Sequence, residues 1–249
     1  MKLWDYIKEN MLKHPLQKVS EESASMTYEE LVIYAEGMGE ILQGEDCCAV
    51  CCHSEMAEAM GLLGCIAAGV TAVPLSARYG PLHLKKIMRI LRPTCVITDA
   101  EGELGVYYVS DSAYSEPKKR PAFIMWTSGT SGTPKGAMLS EENVISNLND
   151  IASYFKIGEE DSMLIFRPLY HSAVLTGEFL TALIKGTEIV FFSENFNPAA
   201  ILNLLKNRKI TVIGGTPSLL KMLSHFTCKE ETSCLKHMVI SGECMGEKV

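Results

Sequence analysis

The segment TSGTSGTPKG at residues 127–136 combines hydroxyl side chains, glycines and one lysine, which are groups that bind phosphate in proteins. Glycines allow the backbone to turn several N–H groups toward one centre, and the hydroxyls add further donors. Lys135 adds a compact positive charge that suits a polyphosphate. The segment follows the apolar run AFIMW at 122–126, which predicts a buried strand. We therefore predict a phosphate-binding loop between this strand and a helix.

The order of residues distinguishes this loop from that of kinases and ATPases. Their loop reads G-x-x-x-x-G-K-[ST], where lysine follows glycine and the final hydroxyl binds magnesium. In this chain Lys135 precedes Gly136, and Ala137 follows where a hydroxyl is required. The order excludes a kinase-type loop. A flexible Gly/Ser/Thr connector is the simpler alternative, but it leaves the lysine and the adjoining apolar strand unexplained.

The apolar patterns around the loop predict an α/β fold with mainly parallel sheets flanked by helices. Thr27 to Glu30 reads as a capping box, and Gly69 ends a helix that begins near Ser54. Predicted strands lie at 47–52, 70–75, 94–99, 122–126, 163–170, 187–192, 210–215 and 237–242. Further helices are predicted at 81–91, 141–155, 199–208 and 217–226. Ligands of such sheets bind at the carboxyl ends of the strands.

Composition and charge limit the class of protein. The chain has 249 residues and a formal net charge of −7, which gives no electrostatic footprint for nucleic acid or an anionic membrane. No run approaches the roughly 18 apolar residues of a membrane span. Charges interrupt the first ten residues, so they do not resemble a signal peptide. We expect a cytoplasmic protein that does not bind nucleic acid and does not span a membrane.

The segment DCCAVCCHS at 46–54 raises the question of a metal site among the nine cysteines. Cys48, Cys51 and His53 have spacings that could hold zinc. A structural zinc site needs four ligands, however, and no later CxxC or HxxxH supplies the second pair. We predict a buried strand followed by a loop, and no metal site formed by protein side chains.

Several motifs together resemble those of the adenylate-forming superfamily, which includes acyl-CoA synthetases, aryl-CoA ligases, luciferases and the adenylation domains of peptide synthetases. Segment 127–136 matches their Thr-Ser-Gly-Thr-Thr/Ser-Gly-x-Pro-Lys-Gly signature throughout. RPLYHSAVLTG at 167–177 resembles their P-L-F-H-x-x-G element, and VISGECM at 239–245 resembles the stretch that borders adenine. TYEEL at 27–31, LLGCIAAGVTAVPL at 62–75 and ITVIGGTPSLLKML at 210–223 extend the resemblance over nearly the whole chain.

The resemblance implies activation of a carboxylic acid by Mg²⁺·ATP, which yields an acyl-adenylate and pyrophosphate. A thiol, that of coenzyme A or of a carrier protein, then takes the acyl group. It implies that Lys135 and His171 are catalytic, and that His171 lies near the acyl carboxylate; an ordinary half-buried histidine is the alternative. The implied nucleotide-binding residues are Thr127, Ser128, Gly129, Thr130, Ser131, Gly132, Lys135 and Gly136 for phosphate, and Gly242, Glu243 and Cys244 for adenine.

The chain also departs from the superfamily pattern. No aspartate follows YH at 170–171, which favours a plain acyl or aryl acid over an amino acid, whereas Glu243 favours the opposite. The later Tyr-Gly-x-Thr-Glu and Thr-Gly-Asp elements and the C-terminal lobe do not occur in residues 1–249. We therefore expect the truncated N-terminal lobe of a ligase, with approximate subdomains 1–165 and 166–249. We expect it to be inactive alone and to self-associate through its truncated surface. A non-enzymatic nucleotide- or acyl-binding module is the alternative.

Overall fold

The computed structural model describes residues 1–22, 24–110, 112–127, 134–193, 197–225 and 232–243. Within these ranges the strands form two six-stranded sheets. The strands are β1 (Lys18–Glu21), β2 (Ala24–Thr27), β3 (Cys47–Val50), β4 (Thr71–Pro74), β5 (Cys95–Thr98), β6 (Gly105–Tyr108), β7 (Phe123–Thr127), β8 (Lys135–Leu139), β9 (Ser162–Ile165), β10 (Glu188–Phe191), β11 (Val212–Gly215) and β12 (His237–Ile240).

Helices cover both sheets. They are α1 (Leu3–Met11), α2 (Tyr28–Ile41), α3 (Glu55–Ala68), α4 (Pro81–Leu91), α5 (Glu141–Tyr154), α6 (Ser172–Val174), α7 (Thr181–Lys185), α8 (Pro198–Asn207) and α9 (Pro217–Ser224). A π-helical segment, Leu175–Leu180, joins α6 to α7. None of the helices in the described ranges is both long and apolar enough to cross a bilayer.

Both sheets are mainly parallel, as predicted. The first sheet has the order β6-β5-β3-β4-β7-β8, and the second has the order β12-β11-β9-β10-β1-β2. Antiparallel pairing occurs only where β6, β8 and β2 form sheet edges among the described strands. The α/β fold is therefore confirmed. Strand β1 pairs with β10, so the second sheet takes strands from both sides of the boundary predicted at 165/166; the two subdomains stay a prediction.

The main core lies between the two sheets. Val50 and Phe123 of the first sheet and Val19 and Phe191 of the second belong to one buried cluster, together with residues of α1, α2 and α3. Helix α4 covers the opposite face of the first sheet, and α8 and α9 cover that of the second. The packing places helices on both faces of each sheet, because a parallel sheet must bury both faces.

Local signals set several helix ends where the sequence predicts them. The Thr27 hydroxyl accepts a hydrogen bond from the Glu30 N–H, and the Glu30 carboxylate accepts one from the Thr27 N–H, which completes the capping box. Ser54 caps α3, and Gly69 ends it with a positive φ of 68°. Ser140 caps α5 in the same reciprocal way with Asn143.

The predicted strand-to-helix position of segment 127–136 is wrong. Residues Lys135–Leu139 form β8, which pairs antiparallel with β7 and places Lys135 opposite Thr127. The helix begins only at its Ser140 cap, because the five residues before it are extended and pair with β7. Thr127, Lys135 and Gly136, at the two ends of the segment, therefore lie on paired antiparallel strands. The strand predicted at 163–170 is also shorter, since it ends before Pro168, which lacks an N–H.

Helices α2 and α3 approach closely at Gly64, and this contact gives a first prediction. A Cβ on Gly64 would lie 2.3 Å from Met38 Cγ, so Gly64→Ala is expected to destabilise the protein by about 1–3 kcal/mol. A Cβ on Gly37 of α2 would have no neighbouring atom within 4 Å, so Gly37→Ala is the matched control and should stabilise by up to about 1 kcal/mol. Urea unfolding of both variants measures this; equal effects would contradict the close packing.

Candidate functional site

The base of the hairpin places the two described ends of the phosphate-loop segment side by side. Thr127 and Lys135 are opposite each other in the register, and the Thr127 hydroxyl donates to the Lys135 carbonyl at 3.3 Å. Both side chains are exposed. The ammonium group of Lys135 is therefore accessible to an anion in solvent. The predicted residues Ser128, Gly129, Thr130, Ser131 and Gly132 lie outside the described residues.

Gly136 has a packing role at the same hairpin. It lies opposite Trp126, and a Cβ at this position would lie 2.6 Å from Ile124 Cγ2. A side chain here would push β8 away from β7 or displace the isoleucine. The glycine therefore fixes the strand pairing that presents Lys135.

A cavity of about 520 Å³ lies at the carboxyl ends of four parallel strands of the second sheet. Phe166, Ser193, Thr216 and Gly242 line it, and each follows the end of β9, β10, β11 or β12. This is the edge where α/β sheets bind ligands. The remaining lining residues are Glu55, Arg78, Arg167, Pro168, Tyr170, His171, Ser172, Ala173, Phe192 and Leu219.

His171 and Gly242, two predicted site residues distant in sequence, both line this cavity. The His171 ring lies 4.3 Å from the Tyr170 ring, centroid to centroid. Partial burial lowers the pKa of His171, and the positive charge of Arg167 lowers it further. The imidazole is therefore neutral at pH 7, so it can donate or accept a hydrogen bond without carrying charge into the cavity.

Gly242 and Glu243 occupy different environments. Gly242 has φ of 86°, a conformation that favours glycine, and a Cβ added there would lie 3.5 Å from Thr216 Cγ2. The Glu243 carboxylate instead accepts hydrogen bonds from the Ser218 hydroxyl, at 2.6 Å, and from the Ser218 N–H, at 3.3 Å. The Ser218 hydroxyl lowers the pKa of Glu243. Glu243 thus binds the first turn of α9, and Cys244 lies outside the described residues.

A buried polar network holds the turn that carries His171. The Glu55 carboxylate, 8% exposed, accepts a hydrogen bond from the Leu169 N–H at 3.0 Å. Glu21 of β1 accepts hydrogen bonds from the Glu55 N–H and from the hydroxyls of Ser54 and Ser193. These contacts connect the start of α3 in one layer to strands β1 and β10 of the second sheet. The position of His171 therefore depends on three separate elements.

A buried ion pair forms the wall between this cavity and a second one. Arg167, 7% exposed, pairs with Glu178, 2% exposed, and also donates to the Ser241 hydroxyl at 3.2 Å. Burial raises the pKa of Glu178, and the Arg167 charge opposes that shift. Glu178 Oε2 and Arg167 Nε have no partner among the described residues. A Cβ on Gly214 would lie within contact distance of Glu178, so that glycine makes room for the pair.

The second cavity has a volume of about 770 Å³ and is mostly apolar. It shares Ser172 and Ala173 with the first cavity, so the two adjoin at the N-terminus of α6. Its apolar lining comes from α5 and β12, including Val144, Ile151 and Val239. A cavity at the strand ends that is lined in part by charged side chains thus adjoins a larger, mostly apolar one, an arrangement suited to a ligand with a polar end and an apolar tail.

Residues 7–249 match the family described as AMP-binding enzyme. The chain belongs to this family. A feruloyl-CoA synthase of an Amycolatopsis species is 27% identical over 181 residues, which are 66% of this chain and 37% of that protein. Malpinin synthetase of Mortierella alpina is 26% identical over 257 residues, 91% of this chain and 3% of that protein. The chain spans less than half the length of these curated relatives.

The solved structures show the same fold. The crystal structure of a fatty acid AMP ligase from Legionella pneumophila has a TM-score of 0.82 and 23% sequence identity. The similarity covers 99% of this chain and 50% of that one. The fold of the AMP-binding family member described here is therefore that of part of an adenylate-forming ligase.

Sequence reasoning missed Glu55, Arg78, Arg167 and Glu178 in this AMP-binding chain. A signal existed for Glu178, because it is the one charged residue within the apolar run VLTGEFLTALI at 174–184. A charge in such a run predicts a buried pair, but its partner Arg167 cannot be identified from spacing.

The structure places the residues with zinc-like spacing, Cys48, Cys51 and His53, at β3 and the loop after it. No group of three or more metal-ligating side chains occurs in the described ranges.

Two buried carboxyl groups on α3 predict a pH-dependent stability. Burial raises the pKa of Glu55 to about 7 and that of Glu58 well above its usual range. Glu58 Oε1 has no partner among the described atoms. The folded state holds these protons more tightly than the unfolded state does. The two carboxyl groups therefore make their full contribution to the free energy of unfolding below the ordinary glutamate pKa of about 4.3, and this contribution is lost as pH rises toward 7 and above.

Glu58→Gln is therefore expected to raise the free energy of unfolding more at pH 8 than at pH 5. The difference should grow by up to about 1.4 kcal/mol per pH unit, since glutamine keeps the size of the side chain without an ionisable proton. Urea unfolding at several pH values measures it, with exposed Glu29→Gln as the control. A gain that does not change with pH would show that Glu58 is ionised in the fold.

Proposed function

We propose that this chain is the N-terminal part of an ATP-dependent ligase that converts a carboxylic acid to an acyl-adenylate and passes the acyl group to a thiol. The observation that carries the proposal is the cavity at the carboxyl ends of β9–β12, which is lined by His171 and Gly242 and adjoins a mostly apolar cavity. Membership of the AMP-binding family supports it. The names of the relatives, a CoA synthase and an AMP ligase, support the same reaction class.

In the proposed reaction the substrate carboxylate attacks the α-phosphorus of ATP, and the bond to the pyrophosphate oxygen breaks. A thiol then attacks the acyl carbon, and AMP leaves. Lys135, at the start of β8, would offset the negative charge of the β- and γ-phosphates. Neutral His171 would orient the acid carboxylate by a hydrogen bond. These roles require positioning rather than a covalent enzyme intermediate. Mg²⁺ bound to ATP would neutralise further phosphate charge.

The lining of the apolar cavity favours a plain acyl or aryl acid. An amino acid would need a free carboxylate to hold its ammonium group, and Glu178 is the one acidic residue among the described residues lining this cavity. Glu178 is already paired with Arg167. The likeness to a dimodular nonribosomal peptide synthase of Bacillus subtilis, 24% identical over 74% of this chain, makes an amino acid the second candidate.

Binding of hydrolysis-resistant acyl-adenylate analogues tests this proposal without requiring turnover. Calorimetry should show that sulfamoyl-adenosines with aliphatic or aromatic acyl groups bind more tightly than AMP, because the acyl group fills the apolar cavity. His171→Ala should weaken the analogues more than AMP, whereas His225→Ala, at the exposed end of α9, should change neither. Absence of adenine-nucleotide binding would refute the proposal, and tightest binding by an aminoacyl analogue would support the second candidate.

A further inference from the structure

Helix α4 carries an unusual concentration of positive charge for an acidic protein. The chain has 30 acidic and 23 basic residues, yet no Asp or Glu occurs from Ala59 to Thr98. The cations of this stretch lie on α4 and beside it: Arg78, Lys85, Lys86, Arg89 and Arg92. This segment is therefore locally basic within a chain of net charge −7.

The cations of α4 point to solvent and have no intramolecular partner in the described part of the chain. Ile87 and Leu91 are buried against the first sheet, whereas Lys85, Lys86 and Arg89 are exposed and make no ion pair there. Lys85 and Arg89 are four residues apart on one face, a like-charge pair that costs about 0.2–0.5 kcal/mol. The repulsion between Lys85 and Arg89 is therefore not offset by an ion pair in the described part of the chain.

Apolar side chains lie among these charges. Leu82 is 80% exposed and Ile90 is 54% exposed. We call the surface formed by Leu82, Lys85, Lys86, Arg89 and Ile90 the basic face of α4. It is about 16 Å long for a helix of 11 residues. Alternating cations and exposed aliphatic groups match an acidic amphipathic helix better than a bare anion, which would leave the aliphatic groups in water.

The basic face is connected to the cavity that holds His171. His83 of α4 contacts Tyr79, with ring centroids 4.7 Å apart, and Tyr79 lies 5.6 Å from Tyr170. Tyr170 in turn contacts His171 at 4.3 Å. Arg78, just before α4, lines the cavity itself. These contacts place the N-terminal end of α4 near the candidate site.

We propose that the basic face of α4 docks an acidic helix of a partner protein that carries the acceptor thiol to the cavity. This inference rests on the proposed function, because it identifies the acceptor as protein-borne. A membrane surface fits less well, since the larger apolar side of α4 is already packed on the sheet through Ile87 and Leu91. The same packing leaves only the exposed face for a helix-to-helix contact.

Two probes test the docking surface. One is a small acidic helical carrier protein bearing a phosphopantetheine thiol arm; the other is a labelled helical peptide with glutamates and leucines placed to face α4. The double variant Lys85→Glu/Arg89→Glu should weaken both by at least roughly tenfold, and added salt should weaken wild-type binding. The control Lys206→Glu/Lys221→Glu makes the same charge change on exposed α8 and α9 positions and should bind within about twofold of wild type.

The outcomes separate this inference from the proposed function. If acyl-adenylate analogues bind but neither probe distinguishes the α4 variant from the control, the docking surface is wrong while the ligase proposal stands. If the α4 variant loses affinity for free coenzyme A or anionic vesicles but not for the two probes, the face binds those ligands instead. Loss of self-association alone, measured by light scattering, would assign the face to a second copy of the chain. Circular dichroism confirms that both double variants are folded.

Discussion

Replacing Lys135 with alanine is expected to reduce the affinity for ATP by roughly tenfold to a hundredfold. A hydrogen bond to a charged group contributes about 1.5–3 kcal/mol, and Lys135 is the lysine that the β7–β8 hairpin presents at its base. Its side chain is exposed and carries no ion pair in the described structure, so the change should leave the stability of the fold unaltered. Calorimetric titration with Mg²⁺·ATP measures the loss.

Two controls decide whether the loss comes from Lys135 itself. Lys118→Ala removes an exposed lysine from the loop before β7 and should leave ATP affinity unchanged. Lys135→Arg keeps the charge and should retain part of the affinity. Equal ATP affinity for wild type and Lys135→Ala would mean that the hairpin does not hold the phosphates. Nucleotide binding would then depend on the strand-end cavity alone.

Replacing Glu178 with alanine is expected to destabilise the protein by about 3–5 kcal/mol. The change leaves the Arg167 guanidinium buried without its counter-charge, which costs more than the pair itself contributes. We expect almost all of the variant to be unfolded at a moderate urea concentration. Circular dichroism measures this unfolding. The same variant should also lose binding at the two cavities, since Arg167 and Glu178 line one each.

A double variant separates charge from packing at this wall. Arg167→Met/Glu178→Leu removes both charges with apolar side chains of similar size and should recover most of the stability lost by Glu178→Ala. Exposed Glu40→Ala, which removes a carboxylate from α2, is the control and should change stability by less than about 0.5 kcal/mol. If the double variant is as unstable as Glu178→Ala, loss of packing volume rather than an unpaired charge explains the effect.

Capping residues and apolar runs predicted most of the fold from sequence. Ser54, Gly69 and Ser140 set helix ends through hydrogen bonds within four residues, and such local chemistry is visible in a short window. Strand β3 was predictable because its four residues are all apolar and buried. Helix α1 and strands β1, β2 and β6 were not predicted. Each is short, and its assignment depends on tertiary contacts, as when Val19 pairs with Ile189.

Part of the candidate site was also predictable from the sequence. His171 and Gly242 follow strands whose ends meet at one edge of a parallel sheet, so topology brings them together once the strands are placed. Lys135 was identified from its local motif, but its place on a strand was not. The contact from Glu55 to Leu169 joins residues that are far apart in the chain. The Arg167–Glu178 pair depends on a π-helical segment that contains Glu178. Periodicity contains no information on such pairings.

The pairing of β1 with β10 has a consequence for the order of folding. During synthesis β1 emerges early, but its parallel partner and the Ser193 hydroxyl that donates to Glu21 come much later, with Ser193 172 residues after Glu21. The first sheet, whose strands all lie between Cys47 and Leu139, can assemble before them. The N-terminal strand must therefore remain unpaired on that side until β10 has been made. The loop that closes is long, so this step should be among the slow ones, and it completes the network that positions His171.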